Sequence, residues 1–373
     1  MKKQGGNIVT KRVIFVGAGH THLSVIKEWK KKKKDVEWIL ISPGQYQYYS
    51  GMYSGYMEGR YAIEDIRVPL RSFCNENGGT FVSAKVTSID PEQNIVLTNA
   101  GKVMHFDYLS VDIGAQPKGL EIPHVKKHAE VLKANENFSE AVESVRTSHH
   151  PVIVGGGYAG VEMAFTTQAW RNKNKFQSPV KIISGSKLLP EDTDETRQQV
   201  YDLLDKRGIE YFENEEVHQV TDRTVETDSL SFPYEDLLWM TGPKAPAWFE
   251  ASRLPVDSEG YLLVNEHLQS VAYPQIFGVG DCVTIAGHED IPKNGISAVK
   301  EAPVLLENVK RSLKGKKLTK YSPQKNYMAI LNLGRKQGLM IYGDKTRLGR
   351  APFKIKHRID KKFIKELQPS RKA

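Results

Sequence analysis

Two stretches of the chain carry the residue types and spacing of a phosphate-binding turn. Gly17-Ala18-Gly19-His20-Thr21-His22 follows the apolar run 13–16, and Gly155-Gly156-Gly157-Tyr158-Ala159-Gly160 follows the apolar run 152–154. In such a turn glycines permit a tight bend and let backbone approach a pyrophosphate closely. The pyrophosphate then rests on the partial positive charge at the N-terminus of the following helix. A single strand–Gly–helix turn can exist without any ligand; two in one chain, each after an apolar strand and each opening a helix, point to two dinucleotide sites.

The first turn departs from G-x-G-x-x-G because His22 holds the third glycine position. His20 and His22 also invite a metal reading. No cysteine or carboxylate cluster accompanies them, however, and successive residues entering a helix point in different directions. Neither second strand ends in the acidic residue that commonly binds a ribose: one ends in Ser42-Pro43, the other in Ser184-Gly185-Ser186-Lys187. A hydroxyl can still bond a ribose and Lys187 can tolerate a 2′-phosphate, so NADH and NADPH both stay open. Cys74 and Cys282 are the only cysteines. They lie far apart, which excludes a disulfide framework and a cysteine-rich metal site and suits a reducing, cytoplasmic compartment.

The elements that must position these residues read as two copies of one plan. Strand 12–16, a helix from about residue 20 to 33 and strand 36–42 open the first. Strand 152–154, a helix from 158 to about 170 and strand 180–184 open the second. Residues 79–90 and 94–101 suggest an antiparallel excursion and 106–117 a return to a parallel strand. A long helix begins near Gly295, and the tail reads as two strands followed by a basic helix. The expected fold class is α/β, with two Rossmann-like dinucleotide-binding domains and a small C-terminal α+β region. The expected boundaries are 8–116 with 268–320 for the first domain, 117–267 for the second and 321–373 for the tail.

With GAGHTHL, GGGYAGVEMA and YPQIFGVGDC in this order, the chain resembles the FAD-dependent pyridine-nucleotide oxidoreductases of the glutathione-reductase type. Within them it is most similar to type II NADH dehydrogenases and to the flavoprotein module associated with selenide, water dikinase. The resemblance implies FAD at the first turn and NADH or NADPH at the second. It implies FAD pyrophosphate contacts at Gly17, Ala18, Gly19, His20 and Thr21, and adenosine contacts at Ser42, Pro43 and the backbone of Val86. It further implies a turn at Gly114, and Gly280 and Asp281 at the ribityl chain, where a carboxylate accepts hydroxyl hydrogen bonds. The backbone of Ile296, at the start of the long helix, would face the flavin pyrimidine edge, with Lys293 adding positive charge. The nucleotide would meet Gly155, Gly157, Tyr158, Ala159, Gly160 and Ser184, and Glu162 would orient the nicotinamide.

Disulfide reductases of this type carry paired cysteines after the second strand. Here that segment is YYSGMYSGYMEG, without a cysteine, so electrons would pass directly to an external acceptor. Tyr46, Tyr48, Tyr49, Tyr53, Tyr56 and Tyr61 crowd the segment and would line a flavin or a flat acceptor such as a quinone, or form an ordinary surface loop. Lys300 and Glu301 stand where type II NADH dehydrogenases carry amides beside the quinone. The expected activity is an FAD-dependent NAD(P)H dehydrogenase passing electrons to a quinone-like acceptor. The alternatives are a nucleotide-sensing regulatory flavoprotein with little turnover and a redox role in selenium or sulfur metabolism.

Charge is uneven. The net charge is +9, and residues 350–373 hold nine Lys or Arg against Asp360 and Glu366, which places +7 there. Basic and aromatic residues do not interleave as on a nucleic-acid surface, so no nucleic-acid partner is expected. Phe353, Ile359, Phe363 and Leu367 fall near one face of the last helix, with cations around them. Such a helix either lies on the inner face of an anionic membrane or packs on its own protein. The lysines at 30–34 read as a solvated helix end or part of the same basic face.

Overall fold

The computed structural model describes residues 10–29, 35–132, 137–289, 291, 293, 295–324 and 327–368. The lysine run at 30–34 and the side chain of Ile296 lie outside the described residues.

Four apolar residues in a row, Val13, Ile14, Phe15 and Val16, are all buried, as a strand covered on both faces requires. The strand Lys11–Val16 is central in a five-stranded parallel sheet of order Ile276–Gly278, Tyr108–Val111, Lys11–Val16, Val36–Ser42, Thr80–Ser83. The second sheet repeats this plan: Ala129–Glu130, Asp236–Trp239, Pro151–Val154, Lys181–Ser184, Glu210–Glu213, all parallel. In both sheets the strand before the glycine turn is third, with the next strand on one side and a later strand on the other. That reversal of strand order leaves a crevice beside the turn, the place where open α/β sheets bind ligands.

Each turn opens a helix. Helix α1 (His20–Glu28) follows Gly19, and α2 (Tyr158–Lys173) follows Gly157. Most of α2 is buried, including Phe165, Thr166 and Arg171, because it lies between the second sheet, the segment 53–57 and the C-terminal strands. The buried Arg171 guanidinium is satisfied by the carbonyls of Arg146, Ser148 and Ser178. A third helix, α3 (Gly295–Ser312), packs along α1. The antiparallel excursion is a three-stranded meander, Val86–Asp90, Ile95–Thr98 and Val103–His105, while Thr80–Ser83 joins the first parallel sheet.

The C-terminal region differs from the sequence reading in two respects. It has three antiparallel strands, Met328–Asn332, Gly338–Tyr342 and Lys345–Gly349, the third too polar to stand out in the sequence. Its helix, α4 (Arg350–Leu367), buries Pro352, Asp360, Ile364 and Leu367, with Lys356 half-buried on the same face. This is an i, i+4 ladder. Of the apolar set expected to face inward, Leu367 does so, Phe353 and Phe363 are half-buried, and Ile359 is 49% exposed among cations. A Lys and an Asp occupy the inward face in their place.

Candidate functional site

The first turn is built on glycines that nothing else can replace. Gly17 has φ +91°, and a Cβ there would lie 2.2 Å from the carbonyl oxygen of Asp112; at Gly19 it would lie 2.1 Å from the Asp112 carboxylate. Gly19 caps α1 without a side-chain hydrogen bond. His22 takes the third glycine position as a buried tie: Nδ1 meets the Gly17 carbonyl at 2.7 Å and Nε2 meets Ser110 Oγ at 2.8 Å. Burial lowers its pKa to about 3, so the ring is neutral. His20 turns elsewhere, edge-on to Tyr49 and Phe363, with a buried Nε2 that has no partner among the described residues. The two histidines diverge, and no metal-binding group of three is present among the described residues. Thr21 Oγ1 donates to the Ala298 carbonyl at 2.6 Å, tying α1 to α3.

Three acids converge beside this turn. Asp112 Oδ2 accepts from the His22 N–H at 2.9 Å, and Glu301 Oε2 accepts from the Gly280 N–H at 2.6 Å. Burial is the main cause that raises Asp112 to about 8, Glu301 to about 7 and Asp281 to about 6, with repulsion from Asp281 adding to the first two. Asp112 was not singled out in the sequence; its signal is a polar residue directly after an apolar strand, in SVDIG. The Asp281 carboxylate accepts no hydrogen bond among the described residues, and Lys293 is the cation that favours its charge. Lys293 Nζ donates to Thr284 Oγ1 at 2.8 Å and to the Val283 carbonyl, and lies over the Tyr261 ring at 4.5 Å. Gly280 has φ +71°, with its missing Cβ 2.7 Å from Asp112 Oδ1. Ser42, at the end of the strand adjoining the turn, and Val86 are buried, and the Pro43 carbonyl accepts from Ser83 Oγ at 3.2 Å. Gly114 has φ +64° and open space where a Cβ would be.

The second turn has the same construction and a more open mouth. Gly155 has φ +129°, and at Gly160 a Cβ would lie 1.9 Å from the Gly155 carbonyl oxygen. Gly157 caps α2 without a side-chain partner, and a Cβ there would meet nothing within 4 Å. Gly157, Tyr158 and Ala159 are exposed, so the first N–H groups of α2 face solvent. Ser184 is buried against Gly156. A carboxylate missed in the sequence stands nearby: Glu216 Oε2 lies 3.8 Å from the position a Gly185 Cβ would take. It comes from the loop after Glu210–Glu213, out of reach of a rule that inspects only the end of the second strand.

Glu162, on the first turn and a half of α2, is a junction. Its Oε1 accepts from Ser54 Oγ at 3.0 Å and from the Asn332 N–H at 2.6 Å, and Lys356 Nζ lies 3.8 Å away. Lys356 also donates to the Gly51 carbonyl at 2.8 Å and pairs with Asp360 at 3.3 Å. Asp360 in turn accepts from Tyr49 OH at 3.1 Å. The tyrosine segment is mostly internal packing: Tyr48, Tyr53 and Tyr56 surround Phe138, and Tyr61 stacks on His357. Cys74 and Cys282 are free and buried, and burial raises both thiols, Cys74 to about 12.

Residues 11–302 match the model of the pyridine nucleotide-disulphide oxidoreductase family. The chain is 26% identical to the type II NADH:quinone oxidoreductase of Staphylococcus saprophyticus, over 96% of both chains. It is 28% identical to ferroptosis suppressor protein 1 of Taeniopygia guttata, over 70% of this chain and 71% of that one. Its fold is similar to the sulfide:quinone oxidoreductase of Aquifex aeolicus, with a TM-score of 0.80 at 20% identity over 97% of this chain and 93% of that one. It is likewise similar to NDH2 of Plasmodium falciparum, with a TM-score of 0.78 at 17% identity over 96% and 97%. No described helix is long and apolar enough to cross a membrane. With two glycine turns on two parallel sheets and a family match over most of its length, the chain belongs to the pyridine nucleotide-disulphide oxidoreductase family and is an FAD- and NADH-dependent oxidoreductase.

Proposed function

We propose that the protein oxidises NADH, or NADPH less well, and delivers the electrons through FAD to a small external acceptor of the quinone class without an internal disulfide. The observation that carries this reading is the pair of glycine turns whose helices lack side-chain caps, in a chain whose two thiols are buried and apart.

The residues at the first turn fit FAD. Gly17 and Gly19 let the turn close tightly on Asp112, as a pyrophosphate-binding bend requires, and Asp281 offers a carboxylate unpartnered among the described residues for ribityl hydroxyls. Asp112, raised to about 8, is largely protonated at neutral pH and does not repel a diphosphate. In this reading Gly17 to Thr21 hold the pyrophosphate, Ser42, Pro43 and Val86 border the adenosine, and the start of α3 with Ile296 offers N–H groups to the flavin. FAD supplies the two-electron acceptor that hydride chemistry needs. Lys293 gives two of its three N–H donors to Val283 and Thr284, and its charge acts on Asp281.

The open cradle at Gly157 would take the nucleotide pyrophosphate, with Ser184 and Glu216 toward the ribose. A carboxylate there accepts from the 2′-hydroxyl and repels a 2′-phosphate, which favours NADH. Glu162 has Oε1 saturated by Ser54 and Asn332, leaving Oε2 to receive the nicotinamide carboxamide and fix its ring. Positioning of this kind is the protein's main contribution to hydride transfer. The outer face of α4, with Lys354, Arg358, Lys361, Lys362 and Lys365 around the exposed Ile359, suits contact with an anionic membrane that holds the quinone, at about 1 kcal/mol per cation.

Anaerobic mixing with NADH tests the reading. The yellow protein bleaches within seconds, NADPH acts more slowly, and a water-soluble quinone restores the colour over many cycles. Persistent yellow with both nucleotides removes the proposal, and bleaching that no quinone reverses removes its acceptor.

A further inference from the structure

A cavity of about 600 Å3 opens at the C-terminal end of α2, lined by Glu58, Arg60, Lys173, Arg335, Lys336 and His357 among others. It is about 20 Å along α2 from the glycine turn at its start, by helical rise, so it is separate from the nucleotide cradle. Its volume is that of an ordinary small-molecule site.

The charge around it is unbalanced. Glu58 is the only carboxylate in the lining among the described residues, and it is already engaged: both oxygens meet the Arg60 guanidinium, and Oε1 also accepts from the Arg335 N–H at 2.7 Å. The side chains of Lys173, Arg335 and Lys336 are exposed and have no hydrogen-bond or ion-pair partner among the described residues. Close by, Arg207 is bonded to Gln337, and its charge is disfavoured by burial and by Arg335. Three cations and a fourth nearby thus share one carboxylate, Glu58, which is already paired with Arg60, and the balance is positive.

The backbone gives a second reason. Arg335 and Lys336 form the turn between Met328–Asn332 and Gly338–Tyr342 with φ of +51° and +61°. Gly334 before them is left-handed as well, at φ +68°; Gly and Asn take this conformation readily, and other side chains cost about 1 kcal/mol or more each. Local folding does not call for an Arg-Lys pair here. Asn172 completes the rim: its Oδ1 accepts from Gln168 at 2.8 Å, which leaves its amide N–H groups to donate.

We propose that this cavity binds a small molecule bearing two or more phosphate groups. Arg335 offers the planar fork that pairs with phosphate oxygens, and Lys173 from α2 and Lys336 from the hairpin add point charges. The ligand bridges α2 to the C-terminal hairpin.

Titration calorimetry of the FAD-loaded protein with pyrophosphate, tripolyphosphate and ATP, at low salt and with NADH present, is the test. Binding of at least one probe is expected, weakened by salt and not displaced by NADH. The variant combining Lys173→Gln with Lys336→Asn, both at exposed positions, loses at least tenfold in affinity while NADH still bleaches its flavin at the wild-type rate. Silence with all three probes, displacement by NADH, or unchanged affinity in the variant overturns the proposal. Sedimentation with vesicles containing a phosphoinositide, lost in the same variant, assigns the phosphates to a lipid headgroup; sedimentation that is absent assigns a probe that binds to a soluble compound.

Discussion

Lys356→Met tests how the C-terminal helix is fastened. The Lys356 ammonium donates to the Gly51 carbonyl and lies close to both Asp360 and Glu162. Asp360 is an acid whose pKa is raised from 3.8 to about 6, burial being the main cause and Lys356 opposing it. A raised acid stabilises the native state most below pH 3.8, and that contribution is lost as the pH rises through about 6. In the wild type the loss comes to about 3 kcal/mol, at about 1.4 kcal/mol per tenfold change in proton affinity. Without Lys356 two outcomes compete. An Asp360 that stays ionised beside Glu162 costs about 3–5 kcal/mol. Taking up a proton limits the added cost at pH 7.5 to about 2 kcal/mol, so protonation wins. The lost bond to Gly51 adds about 1 kcal/mol at any pH. Urea denaturation of the variant, at fixed free FAD, should therefore show a loss of about 3 kcal/mol at pH 7.5 and about 1 kcal/mol at pH 5. Adding Asp360→Asn should recover about 2 kcal/mol at pH 7.5 and almost nothing at pH 5. An equal penalty at both pH values, or no recovery once the acid at this position is replaced by its amide, would refute the reasoning.

Three further outcomes follow from the turns. Gly160→Ala forces a Cβ to within 1.9 Å of a backbone oxygen and should raise KM for NADH at least tenfold with FAD retained, whereas Gly157→Ala meets open space and should leave the melting temperature unchanged. Glu216→Gln should narrow the preference for NADH over NADPH in parallel steady-state assays; an unchanged ratio of kcat/KM values counts against its contact with the ribose. His22→Gly restores the usual third glycine yet should destabilise by about 3 kcal/mol or more in denaturant melts, because it empties a buried site and leaves Ser110 Oγ unpaired.

The two dinucleotide modules were legible because their signal is local. An apolar run, a glycine turn and a helix start lie within some fifteen residues, and the constraints found at Gly17, Gly19, Gly155 and Gly160 are the ones such a turn imposes. Residues brought in by tertiary structure were not legible. Glu216 reaches Gly185 from a neighbouring strand's loop, and Asp112 meets Gly19 and Gly280 from the end of the adjacent strand, some ninety residues on from the turn. His22 looked like a defect in a motif, and its role emerges only once Gly17 and Ser110 are seen at its two ring nitrogens. The inward face of α4 misled for a related reason. Apolar periodicity assumes that the buried stripe is greasy, whereas Lys356 and Asp360 go inward because Glu162, Tyr49 and the Gly51 carbonyl await them.

That inward pair alters how Glu162 is understood. A residue expected only to orient a nicotinamide is also where four parts of the chain meet: α2, the segment after the first two strands through Ser54, the C-terminal sheet through the Asn332 N–H, and α4 through Lys356. All three contacts fall on Oε1. The carboxylate plane is thereby fixed, and its remaining oxygen points from a joint that cannot rotate without disturbing the C-terminal region. If Glu162 orients the nicotinamide as proposed, position of the nucleotide ring and attachment of the C-terminal region depend on one side chain. The tyrosine-rich segment takes part in the same attachment, because Tyr49 and Tyr61 anchor α4 through Asp360 and His357. The tyrosine segment thus holds in place the helix that packs on it.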